Sequence, residues 1–152
     1  MKLDNIEHLS VAELCKRKGL NLTVQRRIIA DVINASDDHP NVEKIYKRAN
    51  KKNKKISLAT VYRALKLFED AQVVIRHEFN YNNNKETPTA RYEPVTKWAH
   101  NHLVDINTGQ VIEFSNPGFA NLSKKIASDK GYKVIGYKLE LFAVKEACKK
   151  FK

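Results

Sequence analysis

Two histidines two residues apart, His100 and His102, stand in a segment that runs into a β-prone stretch. Alternate residues of a strand point to the same face, so both imidazoles are predicted to project together. A lone His-x-His is a weak indicator of a metal site, but three more residues of ligand type accompany it. Glu93 precedes the pair, Glu113 lies in the strand predicted to return beside it, and His39 lies in a turn of the first half. Imidazole and carboxylate groups together are typical ligands of divalent transition metals.

The same residue types permit other chemistry. A non-haem iron oxygenase uses two histidines and one carboxylate, but it needs open coordination positions and a substrate pocket. Five residues of ligand type leave little room for either, so an enzyme is not expected. A haem-responsive protein that uses the His pair is a further alternative, which a Soret band on haem titration would reveal. The other histidines, His8 and His77, are predicted to be surface or packing residues.

The composition indicates the class of partner. The 152 residues, 42% apolar and 30% charged, are typical of a globular chain of one domain or two small ones. The net charge of +11 indicates an anionic partner, most simply nucleic acid. A dense basic cluster supports this, although a solvated helix face explains such a run equally well. The cluster consists of Lys44, Lys47, Arg48, Lys51, Lys52, Lys54 and Lys55.

The sequence contains neither the apolar run of a secretory signal in its N-terminal stretch nor an apolar run long enough to span a membrane. We therefore expect a cytoplasmic protein. Cys15 and Cys148 lie near opposite ends of the chain without Cys-x-x-Cys spacing. Both are expected to be reduced structural thiols.

Four helices are predicted in the first half. The first ends near Gly19, and Thr23 is the predicted N-cap of the second. The third runs from about residue 42 to residue 50, and Ser57 is the predicted N-cap of the fourth. The last two form a predicted helix-turn-helix. The predicted inward stripes are Val24, Ile28, Val32 and Ala35 in the second helix and Leu58, Val61, Leu65 and Phe68 in the fourth.

The fourth helix has the character of a DNA recognition helix, which docks through an apolar face and reaches base edges from the opposite one. Arg63 is suited to guanine or phosphate, and Tyr62 to a thymine methyl group. The runs VVIRHEF and ARYEPV, which follow this helix, predict a wing hairpin. The predicted DNA-contacting residues are Arg26, Ala59, Thr60, Tyr62, Arg63, Lys66 and Arg76.

The second half has a different pattern. The runs HLVDI and QVIEF flank Asn107-Thr108-Gly109 and predict a second hairpin. A helix is predicted from Pro117 to about Lys130, and a last strand from about residue 133 to residue 144.

The predicted fold class is therefore α+β, an N-terminal winged helix-turn-helix domain followed by a C-terminal α/β domain. Residues 1–92 form the predicted DNA-binding domain, residues 93–98 the hinge, and residues 99–152 the dimerisation and metal-binding domain.

Four segments together resemble the ferric uptake regulator family across nearly the whole chain: LNLTVQRR, DDHPNVEKIYKRA, SLATVYRALKLFEDAQVVIRHEF and HNHLVDINTGQVIEF. The resemblance implies a dimeric repressor that binds operator DNA, an AT-rich inverted repeat, when it is loaded with a divalent metal. It also implies a ligand set in which one His comes from the DNA-binding domain, a Glu from the hinge, and a His-x-His pair and a Glu from the dimerisation domain. Those positions are His39, Glu93, His100, His102 and Glu113.

The chain departs from the family pattern at two other sites. Many members hold a structural zinc through Cys-x-x-Cys pairs, but the first pair is replaced here by Asp105 and Thr108, and the second is missing, so no thiolate zinc is expected. A further metal site of many members is also not expected, because Ala99, Asn101 and Tyr137 occupy its positions.

With these departures, the chain resembles the Cys-free branch of the family, which includes alphaproteobacterial iron and manganese regulators. The implied cofactor is one divalent ion per protomer, Fe(II) or Mn(II), for which Zn(II) or Co(II) can substitute. Peroxide-sensing members carry Asp where this chain has Glu93 and Glu113, so a peroxide-responsive regulator remains the less favoured alternative, beside a haem-responsive one.

Overall fold

The computed structural model describes residues 9–78, 90–97, 100–134 and 136–146. It divides into two compact units, which we call the N-terminal unit (residues 1–98) and the C-terminal unit (residues 99–152). His8, Ala99, Cys148 and the predicted wing loop lie outside the described residues. In chain order the elements are α1 (Val11–Arg17), α2 (Val24–Asn34), α3 (Val42–Lys52), α4 (Leu58–Asp70), β1 (Val74–His77), β2 (Arg91–Pro94), a 3-10 turn (Val95–Lys97), β3 (Asn101–Asp105), β4 (Val111–Phe114), α5 (Pro117–Asp129) and β5 (Glu140–Ala143).

Each helix of the N-terminal unit begins at a side chain that accepts a backbone N–H. Ser10 and Glu13 form a capping box at α1, and Thr23, Asn41 and Ser57 cap α2, α3 and α4. Such caps satisfy donors that the first helical turn leaves open, and each is worth about 1 kcal/mol. The predicted caps Thr23 and Ser57 are confirmed.

The helices of the N-terminal unit pack around one apolar core. Ile29, Ile33, Ile45 and Phe68 are fully buried in it, and the hairpin adds Val73. Burial of a side chain of this size contributes about 1.5–3 kcal/mol relative to exposure. This core fixes the positions of the surface helix α4 and of the loop between α2 and α3.

Three residues predicted to face inward are exposed. Val24 is 72% exposed and Leu58 41% exposed, and Ala35 is exposed at the end of α2. Val24 and Leu58 are first residues of their helices, and helical side chains lean towards the N-terminus, so both project beyond the packed turns. The buried residues of α2 are instead Ile29, Ala30, Val32 and Ile33.

Strands β1 and β2 form the antiparallel hairpin predicted as a wing. Its register places Ile75 opposite Glu93 and His77 opposite Arg91. Glu93, assigned from the sequence to the hinge, therefore lies within a strand, and the 3-10 turn follows it.

The C-terminal unit contains a three-stranded sheet in the order β4-β3-β5. Strand β3 pairs antiparallel with β4, which confirms the second hairpin, and parallel with β5. The last strand is shorter than predicted, because β5 forms a ladder only from Glu140 to Ala143, opposite the short strand β3. Helix α5 begins at Pro117 as predicted.

Helix α5 buries none of its own residues in the described structure. Leu122 and Ile126, one helical turn apart, are 53% and 50% exposed. Phe142 of β5 is also 50% exposed. Among the described residues, no helix has the length and apolar character required to cross a bilayer.

Candidate metal centre

A buried carboxylate of the N-terminal unit stands between two buried imidazoles. His39 Nε2 lies 3.1 Å from Glu93 Oε2, and His77 Nε2 lies 2.5 Å from Glu93 Oε1. All three residues are at most 4% exposed. A buried carboxylate is costly unless it is paired or hydrogen-bonded, so this cluster is a specific feature of the fold.

The hairpin register explains why His77 meets Glu93. His77 faces Arg91 across the ladder, and Glu93 stands two residues further along the same strand. Diagonal neighbours of this kind share one face of a sheet and lie within reach of long side chains. The pairing of β1 with β2 therefore aims both side chains to the same side.

His39 has an unusual backbone conformation. Its φ is 45°, in the left-handed region, and Pro40 follows it. The Arg48 guanidinium donates to both oxygens of Asp38 at 2.8 Å and to the Ser36 hydroxyl at 2.8 Å. These hydrogen bonds hold the pKa of the Asp38 carboxyl well below its usual range. These hydrogen bonds anchor the loop at Asp38, the residue before His39. They offset the roughly 1–3 kcal/mol cost of the strained His39 backbone.

The C-terminal unit holds a second group of ligand-type side chains. His100 Nε2 lies 3.1 Å from His102 Nε2 and 3.6 Å from Glu113 Oε1. His102 lies opposite Glu113 in the β3–β4 ladder, which brings the two strands' side chains together. His102 is buried, His100 is half-buried, and Glu113 is exposed. The predicted meeting of the two imidazoles is confirmed.

The spacing of the donor atoms fits a divalent metal. Two ligands bound in adjacent positions of an octahedral ion at about 2.1 Å are separated by about 3 Å. The His39–Glu93 and His100–His102 pairs both have this separation, 3.1 Å. At 2.5 Å, the contact between His77 and Glu93 is shorter than this ligand spacing, so the two side chains touch directly.

The structure thus groups the five predicted ligands by unit. His39 and Glu93 meet in the N-terminal unit, and His100, His102 and Glu113 meet in the C-terminal unit. His77 was predicted to be a surface or packing residue; it is buried, and beyond packing it contacts a predicted ligand. His77 stands two residues after Ile75, so the sequence could indicate that both lie on the same face of β1. It could not indicate how β1 aligns with β2, and this alignment brings His77 to Glu93.

The turn between β3 and β4 is tied by hydrogen bonds at the positions where many family members have cysteines. Thr108 Oγ1 donates to Asp105 Oδ2 at 2.8 Å, and the Asn107 N–H donates to Asp105 Oδ1 at 2.9 Å. The Asn107 N–H, followed by the Thr108 hydroxyl, lowers the pKa of the Asp105 carboxyl. Gly109 completes the turn with a φ of 72°.

The predicted DNA-contacting residues of α4 differ in availability. Ala59, Tyr62 and Arg63 are exposed, and Tyr62 keeps 55% of its surface accessible. Thr60 is half-buried and bonds the Ser57 hydroxyl of the cap.

The other predicted contacts already have intramolecular partners. Lys66 pairs with Asp70 at 2.8 Å, and Arg76 pairs with Glu78 at 2.6 Å. Arg26 is half-buried. Tyr62 and Arg63 are therefore the strongest candidates for contact with bases.

Comparisons with known proteins agree with the fold. The model of the ferric uptake regulator family matches residues 17–142. The ferric uptake regulation protein of Rhizobium leguminosarum bv. viciae is 43% identical over 135 residues, which are 89% of this chain and 91% of that protein. The same-named protein of Brucella abortus is 34% identical over 137 residues, 90% of this chain and 89% of that protein.

Solved structures of regulators from this family are also similar to the chain. A zinc-bound manganese uptake regulator is similar with a TM-score of 0.71 at 41% identity, over 91% of this chain and all of that one. The ferric uptake regulator of Pseudomonas aeruginosa with manganese has a TM-score of 0.76 at 29% identity, with the same coverage. With a family model that spans most of the chain and relatives that match nearly their full length, the chain belongs to the ferric uptake regulator family of metal-dependent transcriptional regulators.

Proposed function

We propose that this chain is a homodimeric repressor, active on DNA in the cytoplasm, that binds its operator when each protomer holds one divalent metal ion. The proposed ligands are His39, Glu93, His100, His102 and Glu113. One observation carries the proposal: each unit presents a pair of these side chains whose donor atoms lie 3.1 Å apart. That separation suits adjacent ligands of one ion.

Three imidazoles and two carboxylates suit Mn(II) and Fe(II), and Zn(II) or Co(II) can occupy such a site. Five protein ligands leave one position of an octahedron, which does not favour an enzyme that must bind oxygen and a substrate. The names of these relatives point to iron in one case and to manganese in another. Both ions therefore belong in the first titration.

The ion supplies positive charge and fixed directions for its ligands. Because the proposed ligands come from both sides of the predicted hinge, metal occupancy would restrict hinge motion and select a DNA-binding arrangement. The coupling is reciprocal, so operator DNA would tighten metal binding by the same factor. A two-fold dimer would read an inverted repeat, and the family resemblance favours an AT-rich one.

The decisive test is the fluorescence anisotropy of a labelled duplex, selected by the protein from a random pool in the presence of Mn(II). Titrations with Fe(II), Mn(II) and Zn(II), and with a chelator, should show binding that depends on a divalent ion. Equal binding with and without chelator would contradict the proposal.

Helix α4 is the proposed recognition element. Replacing Arg63 or Tyr62 with alanine is expected to weaken binding to the selected duplex by about 1–3 kcal/mol, because a good base contact is worth that much. Mn(II) affinity of the free protein should be unchanged. Lys18→Ala, an exposed charge outside α4, is the control. Wild-type DNA affinity in both α4 variants would exclude this helix as the reading element.

Four residues of the basic cluster fall into two groups. Lys44 and Arg48 are held by Asp38, at 3.1 Å and 2.8 Å. Lys54 and Lys55 are exposed in the turn that leads into the cap of α4. The Gln25 side-chain amide donates to the Lys55 carbonyl at 3.1 Å and Asn50 to the Ile56 carbonyl at 3.0 Å, so the turn is fixed.

This division predicts a difference in salt dependence. Each phosphate neutralised by the protein contributes about 0.9 to the slope of log affinity against log salt concentration. Lys54→Ala with Lys55→Ala should therefore flatten the slope by about 2. Lys44→Ala, which removes a charge already paired with Asp38, should change it much less. An equal change in both proteins would mean that the cluster acts only through net charge.

The exposed apolar residues of the C-terminal unit support a dimer, because patches of this kind mark association surfaces. We expect the metal-free protein to sediment as a dimer at micromolar concentration. Leu122→Glu with Ile126→Glu should convert it to a monomer, since the two carboxylates would be buried in the contact. Lys124→Glu with Lys125→Glu, exposed on the same helix, should leave it dimeric. A wild-type monomer after chelation would contradict this expectation.

A further inference from the structure

Among the described residues, His77 is a buried histidine that the proposed ligand set does not use. It is 4% exposed, at the last position of β1, and its Nε2 lies 2.5 Å from Glu93 Oε1. The other oxygen of the same carboxylate, Oε2, lies 3.1 Å from His39 Nε2. The two oxygens of Glu93 thus have different partners.

We propose that His77 is a positioning residue of the metal centre, which donates its Nε2–H to Glu93 Oε1 and so leaves Glu93 Oε2 directed at the ion. The inference rests on the proposed function, in which Glu93 and His39 are ligands.

The distances separate the roles of the two histidines. The His39–Glu93 separation of 3.1 Å is that of adjacent ligands of one ion. The His77–Glu93 separation of 2.5 Å is shorter than the spacing of about 3 Å between adjacent ligands of one octahedral ion, so His77 meets the carboxylate directly. The geometry therefore distinguishes His39, at ligand spacing from one oxygen of Glu93, from His77, in direct contact with the other oxygen.

The fold supplies the rigidity that a positioning role requires. His77 and Glu93 are on paired strands, so their separation is fixed by the ladder of β1 and β2 and not by a loop. Tyr92, the neighbour of Glu93, is itself only 6% exposed in the core of the unit. Hydrogen bonds of this kind to ligating groups orient them, and their loss typically costs 10–100-fold in metal affinity.

The test measures Mn(II) affinity by competition with a fluorescent chelator, together with the number of bound imidazole nitrogens by pulsed electron paramagnetic resonance. His77→Leu should lower Mn(II) affinity by about 10–100-fold. His77→Gln, which retains an N–H donor, should recover part of it. The nitrogen count should stay at the wild-type value in both. Tyr92→Phe, in the same hairpin, should keep the wild-type Mn(II) affinity.

Several outcomes would overturn the inference. Wild-type Mn(II) affinity in His77→Leu would show that Glu93 needs no such donor. One bound nitrogen fewer in His77→Gln would make His77 a ligand. Should the Leu variant fail to fold by circular dichroism, the Gln variant still decides through its affinity and its nitrogen count.

Glu93→Ala and His39→Ala separate this inference from the proposed function. If either keeps wild-type Mn(II) affinity, the ligand set is wrong and the role of His77 falls with it. If both lose Mn(II) binding while the His77 variants do not, only the positioning role is wrong.

Discussion

The variant His102→Ala is expected to lose metal-dependent DNA binding while its metal-free fold survives. His102 is 4% exposed on the central strand of its sheet, and its Nε2 lies 3.1 Å from that of His100. Removal of a ligand should cost more than the roughly 100-fold upper range for groups that only orient ligands. The measurements are an Mn(II) titration and the anisotropy of the selected duplex.

Asn101→Ala is the matched control for this variant. Asn101 is adjacent, equally buried at 5%, and outside the proposed ligand set. Elemental analysis of the wild-type protein should find one metal ion per chain, fully removable by a chelator. Two tightly held ions per chain, or metal-dependent repression by His102→Ala, would refute the single-site proposal.

Phe68→Ala is expected to destabilise the N-terminal unit by about 3–5 kcal/mol, the usual cost of removing a buried aromatic ring. Phe68 is fully buried among the helices of that unit. Urea unfolding followed by circular dichroism measures the change. The effect is a large part of the stability of a domain of this size, so DNA binding should fall with it.

Tyr62→Ala on the same helix distinguishes the core from the surface. With 55% of its surface exposed, Tyr62 should contribute within about 0.5 kcal/mol to stability. An unfolding midpoint for Phe68→Ala equal to that of Tyr62→Ala would mean that α4 is not held by the core described above.

Much of the fold could be predicted from local sequence. Thr23 and Ser57 predict the starts of α2 and α4, because a hydroxyl at the N-cap satisfies a specific backbone donor. Gly109 marks the β3–β4 turn because its φ of 72° suits glycine. By contrast, Val24 and Leu58 fit the apolar period of their helices and yet are exposed. Periodicity alone does not reveal that the first residue of each helix projects beyond the packed turns.

Part of the candidate site could likewise be predicted from local sequence, and part could not. His100 and His102 could be paired from their spacing alone, because both residues are close in the chain. The contact of His77 with Glu93 could not, because it depends on strand register across the segment between residues 78 and 90. A slip of one residue would have turned one of the two side chains to the other face.

The turn at Asp105 and Thr108 is closed by hydrogen bonds, so this part of the fold does not depend on a bound metal ion. A thiolate zinc at this place would make the fold itself sensitive to zinc starvation and to oxidants, which attack thiolates. Here a carboxylate, a hydroxyl and a backbone N–H close the turn, and residues 100–113 contain no cysteine. Cys15 is buried, and burial raises the pKa of its thiol, so it stays protonated and unreactive. We therefore expect the metal-free protein to keep its fold, and metal occupancy of the proposed site to follow the supply of the ion.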